Sequence, residues 1–288
     1  MELKFYKLRV CDADLILVDD LEGDGRDRDW ETVAAALLHR KRGAGAERLA
    51  VLAQAERDIW LRVFGPDGSE GEAGDAALCA ARYLLDSGRS GADRVKMRLS
   101  GSAHQALTVD VLDSASLGIA LGPPRQIAAG EGSTETLEPA AALSPSEAGR
   151  LATSIEASGG RYLVLPLCAG IRGTAGVVVF AEGGANPART RIVAAANARS
   201  PDTLSVHVVS RAELRLSRSS HARLDASAAG ALALAAAAAV GYADREAVVR
   251  TRRDALWLEW TASGSLYAAA RPEYVYRGEF HLVDRDER

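Results

Sequence analysis

The stretch GEAGDAALCAARYLLDSG (residues 71–88) has the pattern of a loop that turns into a helix. Two glycines loosen the backbone, Asp75 can cap, and apolar residues then recur at helical spacing up to Gly88. This pattern predicts a helix over 76–88. The first amide N–H groups of a helix have no partners within it, so the junction is a natural anion site. The loop nevertheless has no cysteine, histidine or lysine for acid–base chemistry.

The composition describes a chain that can bury a large core. Of its 288 residues 48% are hydrophobic and 26% charged, which suits one large or two medium domains. A net charge of −4 argues against nucleic acid as a partner. The Ala-rich stretch at 227–243 is shorter than a typical membrane span and predicts a helix buried on all sides. Neither a membrane nor a nucleic acid is therefore expected as a partner.

The cysteines and the first residues indicate where the protein works. Three cysteines without a C-x-x-C pair give neither a zinc site nor a disulfide framework. The opening MELKFYKLRV is charged and strand-like, unlike a signal peptide. We therefore expect a cytoplasmic protein without a metal or cofactor.

The same order of elements occurs twice along the chain, which indicates a duplicated unit. Each half reads strand, strand, helix, strand, strand, buried helix and further strands, with the first helices at 29–42 and 186–200. We predict an α+β fold of two pseudo-symmetric lobes, each a curved, mostly antiparallel sheet or barrel around a central buried helix. The first lobe spans 1–122, a linker 123–145, and the second lobe 146–272. The final strand, 273–288, returns to the first lobe.

Several short strings resemble diaminopimelate epimerase in the correct order. They are KLRVCDADLILVD (7–19), RKRGAGAERLAVL (40–52), RVFGPDGSE (62–70), GPPR (122–125) and EYVYRGE (273–279). The resemblance implies that family's two-lobed fold, without a cofactor, and a ligand site in the cleft between the lobes. It also implies a two-base proton exchange at a carbon next to a carboxylate, in which one cysteine from each lobe serves as a base.

This sequence departs from the family at the positions that carry the chemistry. The resemblance puts the two catalytic cysteines at Ala73 and Ser227, and neither is a thiol. The substrate-pocket equivalents are Ala13, Gly65, Gly74, Asp75, Ile171, Asp202, Arg218, Ser219 and Ala228. The sequence therefore predicts an epimerase-like protein that has lost its activity and serves a binding, regulatory or structural role. Its partner would be an unidentified small molecule or protein, and a homodimer is left open.

A second resemblance keeps an enzymatic alternative open. Isomerases of the phenazine-biosynthesis type resemble the same fold and use carboxylates instead of cysteines. The candidate acid–base residues are then Glu47, Asp75 and Asp225, with the lone Ser227 as a further candidate. Each aspartate is equally explained as a helix N-cap. The alternative function is a cofactor-independent amino-acid epimerase or isomerase.

Overall fold

The computed structural model describes residues 2–23, 28–91, 93–100, 105–127, 134–137, 153–157, 160–181, 202–217 and 224–282. Strands dominate these residues, and they form curled sheets with few helices. The chain divides into two compact units, 1–119 with 270–288 and 120–269. No helix in the described residues combines the length and hydrophobicity that a transmembrane helix needs.

The first unit contains one mixed sheet. Its strands are β1 (Glu2–Val10), β2 (Ala13–Asp20), β3 (Arg48–Ala55), β4 (Asp58–Phe64), β5 (Arg94–Leu99), β6 (Ala106–Val111), the start of β7 (Leu117–Gly122) and β18 (Glu273–His281). Their order in the sheet is β18-β1-β2-β3-β4-β5-β6-β7. The pairs β2–β3 and β4–β5 are parallel, and the others are antiparallel.

Two helices pack on the sheet of the first unit. Helix α2 (Gly74–Asp86) contacts all six strands from β1 to β6, so the sheet must curl. Helix α1 (Trp30–Leu37) packs its apolar side chains with Phe5, Ile16 and Leu49.

Both helices have different bounds from those predicted. Helix α1, predicted over 29–42, is capped by Asp29 and ends at Leu37, and the following turn contains Gly45 at φ +70°. Helix α2 begins two residues before the predicted start and ends at Asp86. Gly88 lies beyond that end at φ +67°, the left-handed conformation that glycine adopts readily after a helix.

The second unit repeats the pairing pattern of the first. Its strands are β8 (Arg125–Ile127), β9 (Thr134–Thr136), β10 (Thr153–Ala157), β11 (Gly160–Ala169), β12 (Thr174–Ala181), β13 (Thr203–Ser210), β14 (Glu213–Ser217), β15 (Glu246–Arg250), β16 (Ala255–Trp260) and β17 (Leu266–Ala270). From β11 to β17 each strand pairs with the next. The parallel pairs β12–β13 and β14–β15 occupy the same places in the order as β2–β3 and β4–β5.

Two predicted segments need comment. The helix predicted at 186–200 lies outside the described residues. Strands β8 and β9 lie within 123–145, the segment predicted as a linker. They pair with each other, and β8 also pairs with β11.

Helix α3 (Ala226–Ala239) lies between β14 and β15 in the chain, as α2 lies between β4 and β5. It was predicted over 227–243 and contacts all six strands from β11 to β16. Its close approach to the sheet depends on small residues. A Cβ atom on Gly230 would lie 2.8 Å from Cδ1 of Leu258, and one on Gly176 of β12 would lie 2.8 Å from Cδ1 of Leu232.

A network of tyrosines and charged side chains holds the last turn of α2. The Tyr83 hydroxyl donates a hydrogen bond to the Asp19 carboxylate on β2, and the Tyr83 ring packs 4.8 Å from that of Tyr6. Burial and the contact with Asp19 raise the pKa of Tyr83 far above its usual value. Burial, followed by the charge of Asp86, raises the pKa of Tyr274 to about 12.

We expect Ala235→Leu to destabilise the protein, because Ala235 is fully buried in α3 and the interior has no room for added methylene groups. Overpacking of this kind costs about 1–3 kcal/mol of unfolding free energy. Ala238→Leu is the matched control, since Ala238 lies on the same helix but is only partly buried. Urea denaturation measures both. Equal losses in the two variants would contradict the difference in packing.

We also expect stability to fall as the pH rises above 10. The folded state raises the pKa of both Tyr83 and Tyr274 above the ordinary value of 10.0. The resulting stabilisation is therefore complete below pH 10 and is lost as the pH climbs through the folded-state values. Tyr83→Phe should reduce this alkaline loss, whereas Tyr242→Phe, at an exposed tyrosine of the second unit, should not. Thermal melts at pH 8 to 12 check this (the range spans the ordinary tyrosine pKa of about 10).

Candidate functional site

The start of α2 is built by a tight turn that follows β4. Gly65 N–H donates to the Ser69 carbonyl at 2.7 Å, and Gly71 N–H donates to the Val63 carbonyl at 2.9 Å. Gly68 has φ +79°, which an L residue rarely adopts. The turn delivers the chain to Ala73, which occupies the N-cap of α2 without a side-chain hydrogen bond.

Two buried carboxylates lie beside this helix start. Glu72 and Asp75 are each 2% exposed. Ala73 N–H lies 3.4 Å from Oε1 of Glu72, and Asp75 belongs to the first helical turn. The prediction that Asp75 is the N-cap is therefore wrong. The helix starts earlier than its apolar run indicates, because an acidic residue is favourable in the first turn.

The start of α3 is capped by the chain's own carboxylates. Asp225 is the N-cap, as predicted, and its Oδ1 accepts a hydrogen bond from Ala228 N–H at 2.8 Å. Oδ2 of Asp202 accepts one from Leu224 N–H at 3.2 Å. Ser227 follows in the first turn and is fully buried. Asp202 and Asp225 thus bind successive N–H groups of one short segment.

Glu47 lies directly before β3, on the same unit as α2. It is half-buried, and its N–H donates to the carbonyl and the carboxylate of Asp14 at 3.0 and 3.1 Å. The next residue, Arg48, lies against the loop before α2, because a Cβ atom on Gly71 would be 3.0 Å from Arg48 Nε. The chain around Glu47 therefore packs near the start of α2.

The other predicted pocket residues belong to the two units separately. Ala13 is the buried first residue of β2, and Gly65 and Gly74 flank the turn before α2. Ile171 lies in the turn between β11 and β12, in the second unit with Asp202 and Ala228. Arg218 and Ser219 lie outside the described residues.

Two charged residues beside the α2 start were missed from the sequence. Glu72 stands three positions before Asp75, a spacing that puts two acids at one helix start, and this signal was available. Arg48 opens an otherwise apolar strand, which gave no comparable signal.

None of the three cysteines lies at a helix start. Cys11, Cys79 and Cys168 are free and buried. Burial, followed by the charge of Asp75, raises the pKa of the Cys79 thiol well above its ordinary value. Burial also raises the pKa of Cys168, although Arg125 opposes the shift. The raised pKa values of these two thiols disfavour the thiolate that proton abstraction needs.

The arrangement at the helix starts is suited to carboxylate chemistry. The buried acids Glu72, Asp75, Asp202 and Asp225 are each at most 3% exposed. Buried carboxyl groups serve many enzymes as general acids or bases. Among the described residues, no three His, Cys, Asp or Glu side chains come close enough together to hold a metal ion.

Sequence comparison relates the chain to named enzymes, although no family model matches it. It is 27% identical over 295 positions to the diaminopimelate epimerase of Pelotomaculum thermopropionicum, covering 96% of this chain and 99% of the relative. It is 39% identical over 93 positions to the diaminopimelate epimerase of Methanothrix thermoacetophila, covering 31% and 33% of the two chains.

Solved structures share the fold at low sequence identity. A putative phenazine biosynthesis PhzC/PhzF protein from Clostridium difficile aligns with a TM-score of 0.63 and 11% identity, over 97% of this chain and all of the other. A probable proline racemase from Agrobacterium radiobacter aligns with a TM-score of 0.63 and 14% identity, over 99% and 94%. The sequence relatives confirm the resemblance to the diaminopimelate epimerases predicted from the sequence, and the structural neighbours carry the same fold in epimerase-, racemase- and isomerase-like proteins.

Proposed function

We propose that this chain is a diaminopimelate epimerase-like protein that does not carry out thiol-based epimerisation and serves a binding, regulatory or structural role. One observation carries the proposal. The N-cap of α2, where the family resemblance puts the first catalytic cysteine, is Ala73. A methyl group cannot take up or release a proton.

The second catalytic position supports the same proposal. By the resemblance it falls on Ser227, a fully buried residue in the first turn of α3. An alcohol is a much weaker acid than a thiol and needs an adjacent base to be activated. A serine therefore does not replace the thiol on equal terms.

The chain's own carboxylates also compete with a substrate carboxylate. In the resembled family, N–H groups at the helix starts hold that group. Here Ala228 N–H and Leu224 N–H are bound by Asp225 and Asp202. Negative charge at a helix start repels a second anion, so this feature favours the loss of the family's substrate.

We extend the proposal to the organisation of the chain. The repeated order of parallel and antiparallel pairs supports two pseudo-symmetric lobes, each built around its buried helix. Such a cytoplasmic protein would need neither a cofactor nor a metal, and its ligand would be a small molecule or a protein.

A second candidate is a cofactor-independent isomerase that uses carboxylates. The specific observation in its favour is the burial of four acids at the two helix starts. Glu47 and Asp75, which the phenazine-biosynthesis resemblance singles out, lie in one unit, and Asp225 lies in the other. Exchange of a substrate proton distinguishes the two candidates.

The parent protein should not exchange the α-proton of diaminopimelate. Loss of one positioned acid–base group typically lowers a rate by about 10²–10⁴-fold. Incubation in D₂O followed by mass spectrometry of the amino acid should therefore give deuterium incorporation equal to that in buffer. Exchange above buffer that disappears in Glu47→Gln or Asp75→Asn, but survives in Glu246→Gln on β15, would establish the carboxylate isomerase instead.

Restoring the thiols should not restore the enzyme. In Ala73→Cys/Ser227→Cys the thiolates would still need the substrate carbon within about 3–3.5 Å and in line. The family's positioning asparagines correspond here to Ala13, Gly65, Ile171 and Asp202, whose hydrogen bonds differ. Calorimetry should give no more diaminopimelate binding than in the parent.

The double variant needs its own control for folding. Thermal melts show whether it retains the parent structure, and a thiol reagent shows whether the new cysteines are present. Measurable turnover, or micromolar binding by either protein, would mean that the pocket is intact and that only its bases are missing.

A further inference from the structure

The first unit carries an exposed apolar strand edge. β18 pairs with β1 from Glu273 to His281, and in the described part of the chain no strand pairing is found at its other edge. Tyr274, Val275 and Tyr276 are 43%, 51% and 44% exposed, whereas the other exposed large apolar side chains of the described residues are scattered. An edge of this kind is a template for another strand.

The outer half of β18 is regular. A bulge at Val275 separates the pairs Lys7–Tyr276 and Leu8–Tyr274, and from Tyr276 to His281 the register with β1 is continuous. The Tyr276 ring is fixed, because it packs edge-on at 6.0 Å from Phe5 and its hydroxyl donates to the Ala44 carbonyl at 3.3 Å. Residues 276–281 thus form a preordered edge.

We propose that a second copy of this chain adds to this edge as an antiparallel strand, about a two-fold axis at Gly278. This register sets Tyr276 of one copy opposite Phe280 of the other, and Arg277 opposite Glu279. The first pair is aromatic, the second is of opposite charge, and each occurs twice by symmetry. The self-complementarity of the sequence identifies the occupant as another copy of this chain.

A competing register centred on Val275 is less favourable. It would set Glu273 opposite Arg277, but the Glu273 carboxylate already accepts a hydrogen bond from Arg9 Nε at 2.9 Å. It would also put the two-fold axis on the bulge, and bulges twist an edge away from further pairing. The continuous segment after the bulge therefore specifies the axis at Gly278.

Charge reversal tests the register directly. Arg277→Glu sets acid against acid, and Glu279→Arg sets base against base, so each variant should weaken self-association by about tenfold or more. An equimolar mixture of the two variants should recover the dimer, because both cross-strand pairs become attractive again in the mixed species. Arg94→Glu, on exposed strand β5 of the same unit, is the matched control and should not alter the association.

Sedimentation velocity gives the mass of each sample, and circular dichroism melts verify that each variant is folded. The parent should have twice the chain mass of 30.4 kDa. A parent that stays at 30.4 kDa at every concentration overturns the proposal. Weakening by Arg277→Glu without weakening by Glu279→Arg overturns the register at Gly278, and a mixture that stays monomeric does the same.

Discussion

The contact on which each unit depends is that between a helix with almost no side chains and the sheet that curls over it. Six consecutive strands contact α2, and six contact α3. A sheet can reach this close only where the helix carries alanine or glycine, as at Gly230 and along the alanine run of α3. The hydrophobic effect is then supplied by the sheet, whose inward leucines and valines cover the helix.

This packing decides what the helix starts can do. A helix enclosed by a sheet brings its first turn into the interior, where acids such as Asp75 and Asp202 are almost fully removed from water. The two units resolve the unpaired N–H groups differently. At α3 a proper N-cap aspartate binds them, whereas at α2 the cap is Ala73 and acids flank it on both sides. The two helix starts are therefore chemically unequal, although the strand pairing around them is the same.

The sequence specified the strands and the buried helices better than the details of the site. Alternating or continuous apolar runs indicated the strands, and the lack of a polar face in 227–243 indicated burial. Helix bounds were missed where local chemistry overrides periodicity, as when Gly74 and Asp75 extend α2 beyond its apolar run. The Asp225 cap was predictable from residue type alone. The pairing of Asp202 with Leu224 N–H was not, because it joins residues 22 positions apart whose proximity only the fold creates.

The return of β18 to the first unit also imposes an order on folding. Arg9 and Glu273, which are bonded between β1 and β18, lie 264 positions apart in the chain. Everything that the second unit needs, by contrast, lies within 120–269. During synthesis, domains generally fold as units once their chain is available. The second unit can therefore fold while the ribosome is still making the protein, and the first must wait with its β1 edge open until the last strand emerges.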